Sequence, residues 1–194
     1  MNAKRAIQSQ YHAALKMLKQ AIVKCPESSW NDQAYKNKFW HIAYHTLFFT
    51  HLYLQTAEKD FCPWSKHIDE YQSLGPLPWP PHKEPEIGEP YTKQEILAYH
   101  ELCQEQVKEQ IACLDLEAES GFDWLPFDKL ELQFYNIRHI QHHTGELYDR
   151  LAGKEKVCWI IHYTAPRGRP LPGGGGDDDL AQGQGGSRCC LQSW

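Results

Sequence analysis

Leu132-Gln-Phe-Tyr-Asn-Ile-Arg-His-Ile-Gln-His-His-Thr-Gly-Glu-Leu147 is the stretch that decides the fold. Leu132, Asn136, His139, His143 and Leu147 recur at spacings of three and four. At 3.6 residues per turn they form one stripe along a helix, apolar at its ends and imidazole in its middle. Ile140, Leu147 and Leu151 lie beside it on the core side, and His142 points away, toward solvent. The start of this helix is written just upstream. Asp128 and Glu131 make a capping box, with Phe127 and Leu132 placed as a hydrophobic staple around it. The helix ends near Ala152, where Gly153 can take a left-handed cap.

Three more segments carry the same period. One runs from about Ile7 to Lys24, with Ile7, Tyr11, Leu15, Leu18 and Ile22 on one face and Pro26 marking its end. A second covers roughly Tyr35 to Thr56 and is apolar nearly all round, which predicts burial on most sides. A third runs from Thr92 to about Leu114 along Ile96, Cys103, Val107, Ile111 and Leu114. It is opened by a Thr92/Glu95 box and a Tyr91/Ile96 staple. Four such segments predict an all-α four-helix bundle. The connection of residues 57–91 contains seven prolines. A link this long allows the second and third helices to run parallel across one end of the bundle, and Ser65 to Leu74 is a candidate short helical turn.

The bulk properties set limits on function. A formal charge of −5, with both signs mixed along the chain, argues against a nucleic-acid binder and a polybasic membrane anchor. No apolar run approaches the ~20 residues of a membrane span, and the N-terminus lacks the apolar stretch of a secretory signal. Seven cysteines without a Cys-x-x-Cys pair read as reduced thiols, which points to the cytoplasm. Cys103 is expected to be a small core residue. Val157-Cys-Trp-Ile-Ile161 could lie extended against the bundle, so the domain is taken as 1–160. Residues 165–194, rich in Gly, Asp and Gln, predict a disordered low-complexity tail.

The histidines carry the chemistry. His41 and His45 are one turn apart on the second helix, as are His139 and His143 on the fourth. Residues four apart differ by about 40° around the axis, so both rings of such a pair can reach one ion. A single histidine here is more simply a core-edge residue bonded to backbone or water. As a group inside an apolar interface they leave several ring nitrogens needing partners, and one divalent cation satisfies three. Three neutral imidazoles leave positions open for water or substrate. They suit zinc, nickel or iron without choosing among them.

The string Asn136–Leu147, together with Phe39-Trp-His-Ile-Ala-Tyr-His45, resembles the DinB-like (DinB/YfiT) superfamily over about residues 7–160. That resemblance implies a bundle connected up-down-down-up, often a homodimer. It also implies a metal triad of one histidine from the second helix and a His-x-x-x-His pair from the fourth. Carried over by position, the triad is His41, His139 and His143, because His41 is followed by the small apolar pair Ile42-Ala43. His45 remains the alternative, since spacing does not exclude it. The implied cofactors are a divalent metal (zinc, nickel, iron or manganese) and a low-molecular-weight thiol cosubstrate.

The implied activities are metal-dependent thiol S-transfer or hydrolysis on a small molecule. A non-enzymatic bundle with a structural or vestigial site is the competing class. Glu146 is the candidate catalytic carboxylate, either orienting a ligand or acting as a base, and its simpler reading is an ion pair with Arg150 four residues on. Trp64, Trp79 and Tyr91 read equally as packing or as a cover over the site. His100 reads as a core-edge residue. A carboxylate-bridged di-metal site is disfavoured because Glu-x-x-His pairs on two helices are missing.

Overall fold

The computed structural model describes residues 3–152. Five α-helices form it: α1 (Ala3–Lys24), α2 (Glu27–Trp30), α3 (Phe39–Tyr53), α4 (Lys93–Cys113) and α5 (Lys129–Ala152), with a 3-10 turn at Glu58–Asp60. Among the described residues the only extended pairing is an isolated bridge between Glu119 and Asp128. The described residues form an all-helical fold. The expected Gly153 cap, the extended piece at Val157–Ile161 and the tail at 165–194 lie outside the described residues.

The apolar stripes behave as their periods require. Ile7, Tyr11, Leu15, Leu18 and Ile22 of α1 are all buried, as are Ile96, Cys103, Val107 and Ile111 of α4. Each large side chain so buried contributes about 1.5–3 kcal/mol. α3 is buried on nearly every side. Its two interior threonines avoid the cost of unpaired hydroxyls by bonding back one turn, Thr46 Oγ1 to Ile42 O and Thr50 Oγ1 to Thr46 O, both at 2.7 Å.

Cross-helix hydrogen bonds give the directions. Lys4 Nζ donates to Ala112 O and Gln8 Nε2 to Lys108 O, so α1 and α4 are antiparallel. Tyr11 OH donates to Gln133 Oε1 and Tyr148 OH to Met17 O, which makes α1 and α5 parallel. Lys129 Nζ donates to Gln55 O and Asn136 Nδ2 to Thr50 O, so α3 runs against α5. α1 and α3 each pack against both α4 and α5, giving the ring order α1, α4, α3, α5.

Two expectations change. The second long helix starts at Phe39, not Tyr35, with Lys38 in extended backbone before it. Asp32 competes locally: its carboxylate accepts from Ala34 N at 3.0 Å and its carbonyl from Tyr35 N at 3.3 Å. That is an Asx-type turn, and residues 31–38 offer no apolar stripe against it. The segment Ser65–Leu74 is a series of turns rather than a helix. Tyr71 N bonds to Ile68 O and Ser73 N to Glu70 O, and Glu70 sits at φ 71°, which a helix does not tolerate.

Of the two expected capping boxes, that of α4 forms in full and that of α5 by its Asp128 half. Thr92 and Glu95 form both halves of a capping box. Lys66, and then Thr92, hold the Glu95 carboxyl down to about 2. At α5, Asp128 Oδ1 accepts from Glu131 N at 2.8 Å. The connection of residues 57–91 is built into the core through Trp64, which stacks on Tyr99 with ring centroids 4.7 Å apart, and Tyr91, whose carbonyl accepts from Trp30 Nε1. Of the three aromatics weighed as packing or cover, Trp64 and Tyr91 are packing and Trp79 is exposed.

Candidate metal centre

Because α3 and α5 are antiparallel, the register that sets Asn136 against Thr50 also sets His139 against His45. Their Nε2 atoms are 3.1 Å apart. His143 completes the group from one turn further along α5, its ring centroid 4.7 Å from those of both His45 and His139. One nitrogen from each of the three rings lies within 4.8 Å of the others. Phe49 lies against His45 and His139, at centroid distances of 4.8 and 5.7 Å, and gives the cluster an apolar side.

The expected third imidazole, His41, is not in this group. Its Nε2 is 2.9 Å from the carbonyl of Tyr71, so the ring is turned onto the connection of residues 57–91. The physical reason is the path of that segment. It brings two consecutive carbonyls against α3, and each takes one histidine: Tyr71 O takes His41 and Gln72 O takes His45 Nδ1 at 2.6 Å. For His45 the bond leaves Nε2 facing α5. For His41 the engaged atom is Nε2 itself. The structure therefore brings together His45, His139 and His143, with His41 one turn away.

Partners fix the tautomers. A carbonyl only accepts, so His45 carries its proton on Nδ1 and presents a lone pair at Nε2. His143 Nδ1 lies 3.3 Å from Glu146 Oε2, which places its proton there and frees its Nε2. His139 Nδ1 is buried without a hydrogen-bond partner. Glu146 also receives Arg150 Nη2 on Oε1 at 2.7 Å, the expected ion pair, so one carboxylate touches both Arg150 and an imidazole of the cluster. Its carboxyl is held below the usual range first by His143 and, despite burial, by Arg150.

Burial dominates the electrostatics. It pushes His45 well below its ordinary value, with repulsion from His139 and His143 adding to it. His139 falls to about 3 from burial, then from His143 and His142. His45 and His139 are thus neutral at ordinary pH. As it stands the 3.1 Å contact is an N–H···N hydrogen bond from His139 Nε2 to the lone pair of His45 Nε2, which leaves His139 Nδ1 as the buried ring nitrogen lacking a partner. With the His139 proton moved to Nδ1, both Nε2 atoms become donors to a divalent cation, and the donor set fits one. Zinc–nitrogen bonds of about 2.0–2.1 Å would set tetrahedral neighbours about 3.3 Å apart, close to the separation of the two facing Nε2 atoms.

The remaining candidates lie elsewhere. His142 is exposed, as its angle on the helix requires. His100 is buried between α1 and α4, with Nε2 on Leu15 O. Cys103 is a core thiol against Leu47 O, pushed up by burial. Reading the sequence did not find the Tyr71 and Gln72 carbonyls, because a main-chain acceptor leaves no side-chain signal. No helix among the described residues is long and apolar enough to cross a membrane.

Against known proteins, a family model described as the DinB superfamily matches residues 10–147. No curated protein and no solved structure gives a match.

Proposed function

The chain belongs to the DinB superfamily, and from that premise we propose that His45, His139 and His143 hold one divalent cation at which a small-molecule thiol or water is activated. The activity proposed is metal-dependent S-transfer from a low-molecular-weight thiol, or hydrolysis. The observation that carries this reading is the pairing of inner and outer nitrogens. Nε2 of His45 faces Nε2 of His139, while the outer nitrogens of His45 and His143 are tied to Gln72 O and Glu146. Such outer bonds fix ring orientation and raise ligand basicity. A bound cation would supply a Lewis acid that lowers the pKa of a thiol or water beside it.

The chain's own residues do the rest. Glu146 takes the proton-bearing side of His143 and keeps its free nitrogen turned inward. Its engagement by both His143 and Arg150 favours a positioning role over that of a mobile base. Phe49 keeps one side of the cluster dry. A cytoplasmic homodimer belongs to the same reading. The family resemblance motivates the dimer, which light scattering would check, and the described cysteines, which stand as thiols rather than disulfides, motivate the compartment.

The test is metal content of protein purified without chelating resin, followed by a thiol-transfer panel with and without metal. About one equivalent is expected in the wild type and none in His45→Ala, His139→Ala or His143→Ala, with activity following the metal. A wild type that stays metal-free after reconstitution overturns the reading. Metal without turnover in any thiol or hydrolysis assay would leave the non-enzymatic bundle.

A further inference from the structure

A cleft of about 550 Å³ opens beside His41, between residues 31–38 and residues 74–88. That volume is of the size that encloses a small organic ligand. Its walls are chemically distinct. Lys36 and Lys38 line the cleft together with apolar Trp40, Leu74 and Ile87; Lys38 Nζ donates to the exposed Tyr35 O at 2.6 Å, and Glu84 meets Lys36 at 3.0 Å.

Both walls are tied to the histidine cluster. Arg150 Nη1 donates to Asn37 O at 2.6 Å, and its Nη2 donates to Glu146, whose other oxygen meets His143. The guanidinium also lies over Tyr35, 4.4 Å from the ring centroid. The opposite wall is held by Tyr71 O on His41 and Gln72 O on His45. A ligand in the cleft therefore touches one segment tied to His143 through Arg150 and Glu146, and another that follows directly on the two carbonyls holding His41 and His45. His41 is only one turn, about 6 Å of helix rise, from His45.

We propose that this cleft binds the carboxylate end of a small amphipathic substrate, with Lys36 and Lys38 receiving the carboxylate and the reacting end carried toward His45, His139 and His143. The last clause rests on the functional reading above; the binding site itself does not. The Lys36–Glu84 pair is exposed on both sides, 66% and 58%, so it contributes little and exchanges readily. Glu84 occupies the position a substrate carboxylate would take and competes with it. Trp40 is the natural reporter, since it lines the cleft and its indole N–H is fixed on Asn31 Oδ1.

The probe is S-hexylglutathione, an amphipathic carboxylate whose alkylated sulfur cannot bind a cation as a thiolate. It is titrated into the full chain, metal-free and metal-loaded, while the Trp40 indole resonance is followed. Saturable movement of that resonance is expected in both forms. Lys36→Glu and Lys38→Glu should each weaken binding roughly tenfold, and Glu84→Gln should tighten it a few-fold. The diethyl ester of the probe should not bind. A carboxylate at position 38, before the start of α3, favours the helix, so loss of fold is not the expected cause of weakening. Failure to saturate, binding that leaves Trp40 unmoved, or equal affinity across the three variants overturns the proposal. Metal content of the same preparations is read separately. A chain that binds the probe but takes up no metal even on reconstitution would retain the cleft and sink the metal centre, and one that takes up metal but never binds the probe would do the reverse.

Discussion

His45 and His139 face each other across the α3–α5 interface with their Nε2 atoms 3.1 Å apart, while the far nitrogen of His45 is engaged by the carbonyl of Gln72. The two rings thus meet edge to edge with one orientation already fixed from behind. His41, four residues earlier on the same helix, makes an equivalent bond to Tyr71 through its other nitrogen. This difference separates a candidate ligand from an anchor.

His41→Ala should therefore retain the metal that His45→Ala loses. It should instead cost about 1–3 kcal/mol of stability, because the buried Tyr71 carbonyl loses its partner. Metal analysis and urea denaturation of the two variants check both halves. Loss of metal in His41→Ala alone would restore the assignment first drawn from position.

Glu146→Gln keeps the shape of the side chain and removes its charge from both His143 and Arg150. Metal affinity should fall about 10–100-fold, as for other residues that orient a ligand from behind. Competition with a chromogenic chelator measures it. An unchanged affinity would show that the carboxylate serves only Arg150.

Acid should destabilise the metal-free protein well above the carboxylate range. Burial lowers His51 to about 4 and also depresses His100, both away from the cluster. In the unfolded chain these rings titrate near 6.5, so the unfolded state binds the proton more tightly. Stability is intact above about 6.5 and is lost as pH falls toward 4, with His51 alone contributing on the order of 2–3 kcal/mol. Denaturant midpoints at pH 7.5, 5.5 and 4.5 test the trend. A His51→Gln variant should flatten it.

Two glycines should respond in opposite directions. Gly121 has φ +80°, and a Cβ there would lie 2.3 Å from Thr56 O, so Gly121→Ala should cost at least about 2 kcal/mol. Gly145, inside α5, has nothing within 4 Å of its Cβ position, and Gly145→Ala should gain about 0.5–1 kcal/mol. Thermal melts of both give the comparison directly.

Helices with a one-sided stripe or a local stop were legible in the sequence. Ile7 through Ile22 announce a buried face, Pro26 announces its end, and Thr92/Glu95 and Asp128/Glu131 announce two starts. The start of α3 was not, because its periodicity extends no further than Phe39 while Asp32 forms a turn of its own. The pair His139/His143 was legible from spacing on one helix. The third ring was not, since choosing between His41 and His45 depends on where the chain of residues 71–72 passes in space. Arg150 was visible as a partner of Glu146, but its bond to Asn37 O spans two segments far apart in sequence.

The acceptor behind His45 is a main-chain oxygen of Gln72. No exchange of the side chain at position 72 removes it, so alanine scanning of residues 71–72 would pass over the contact. The constraint is written in the route of the backbone and not in its lettering. Chains that share this route can present the same imidazole with unrelated residues behind it. Lengthening or shortening the connection by a residue is the change that would disturb it. For anyone redesigning this bundle, loop length between Tyr53 and Thr92 governs the orientation of His45 even where loop composition is free.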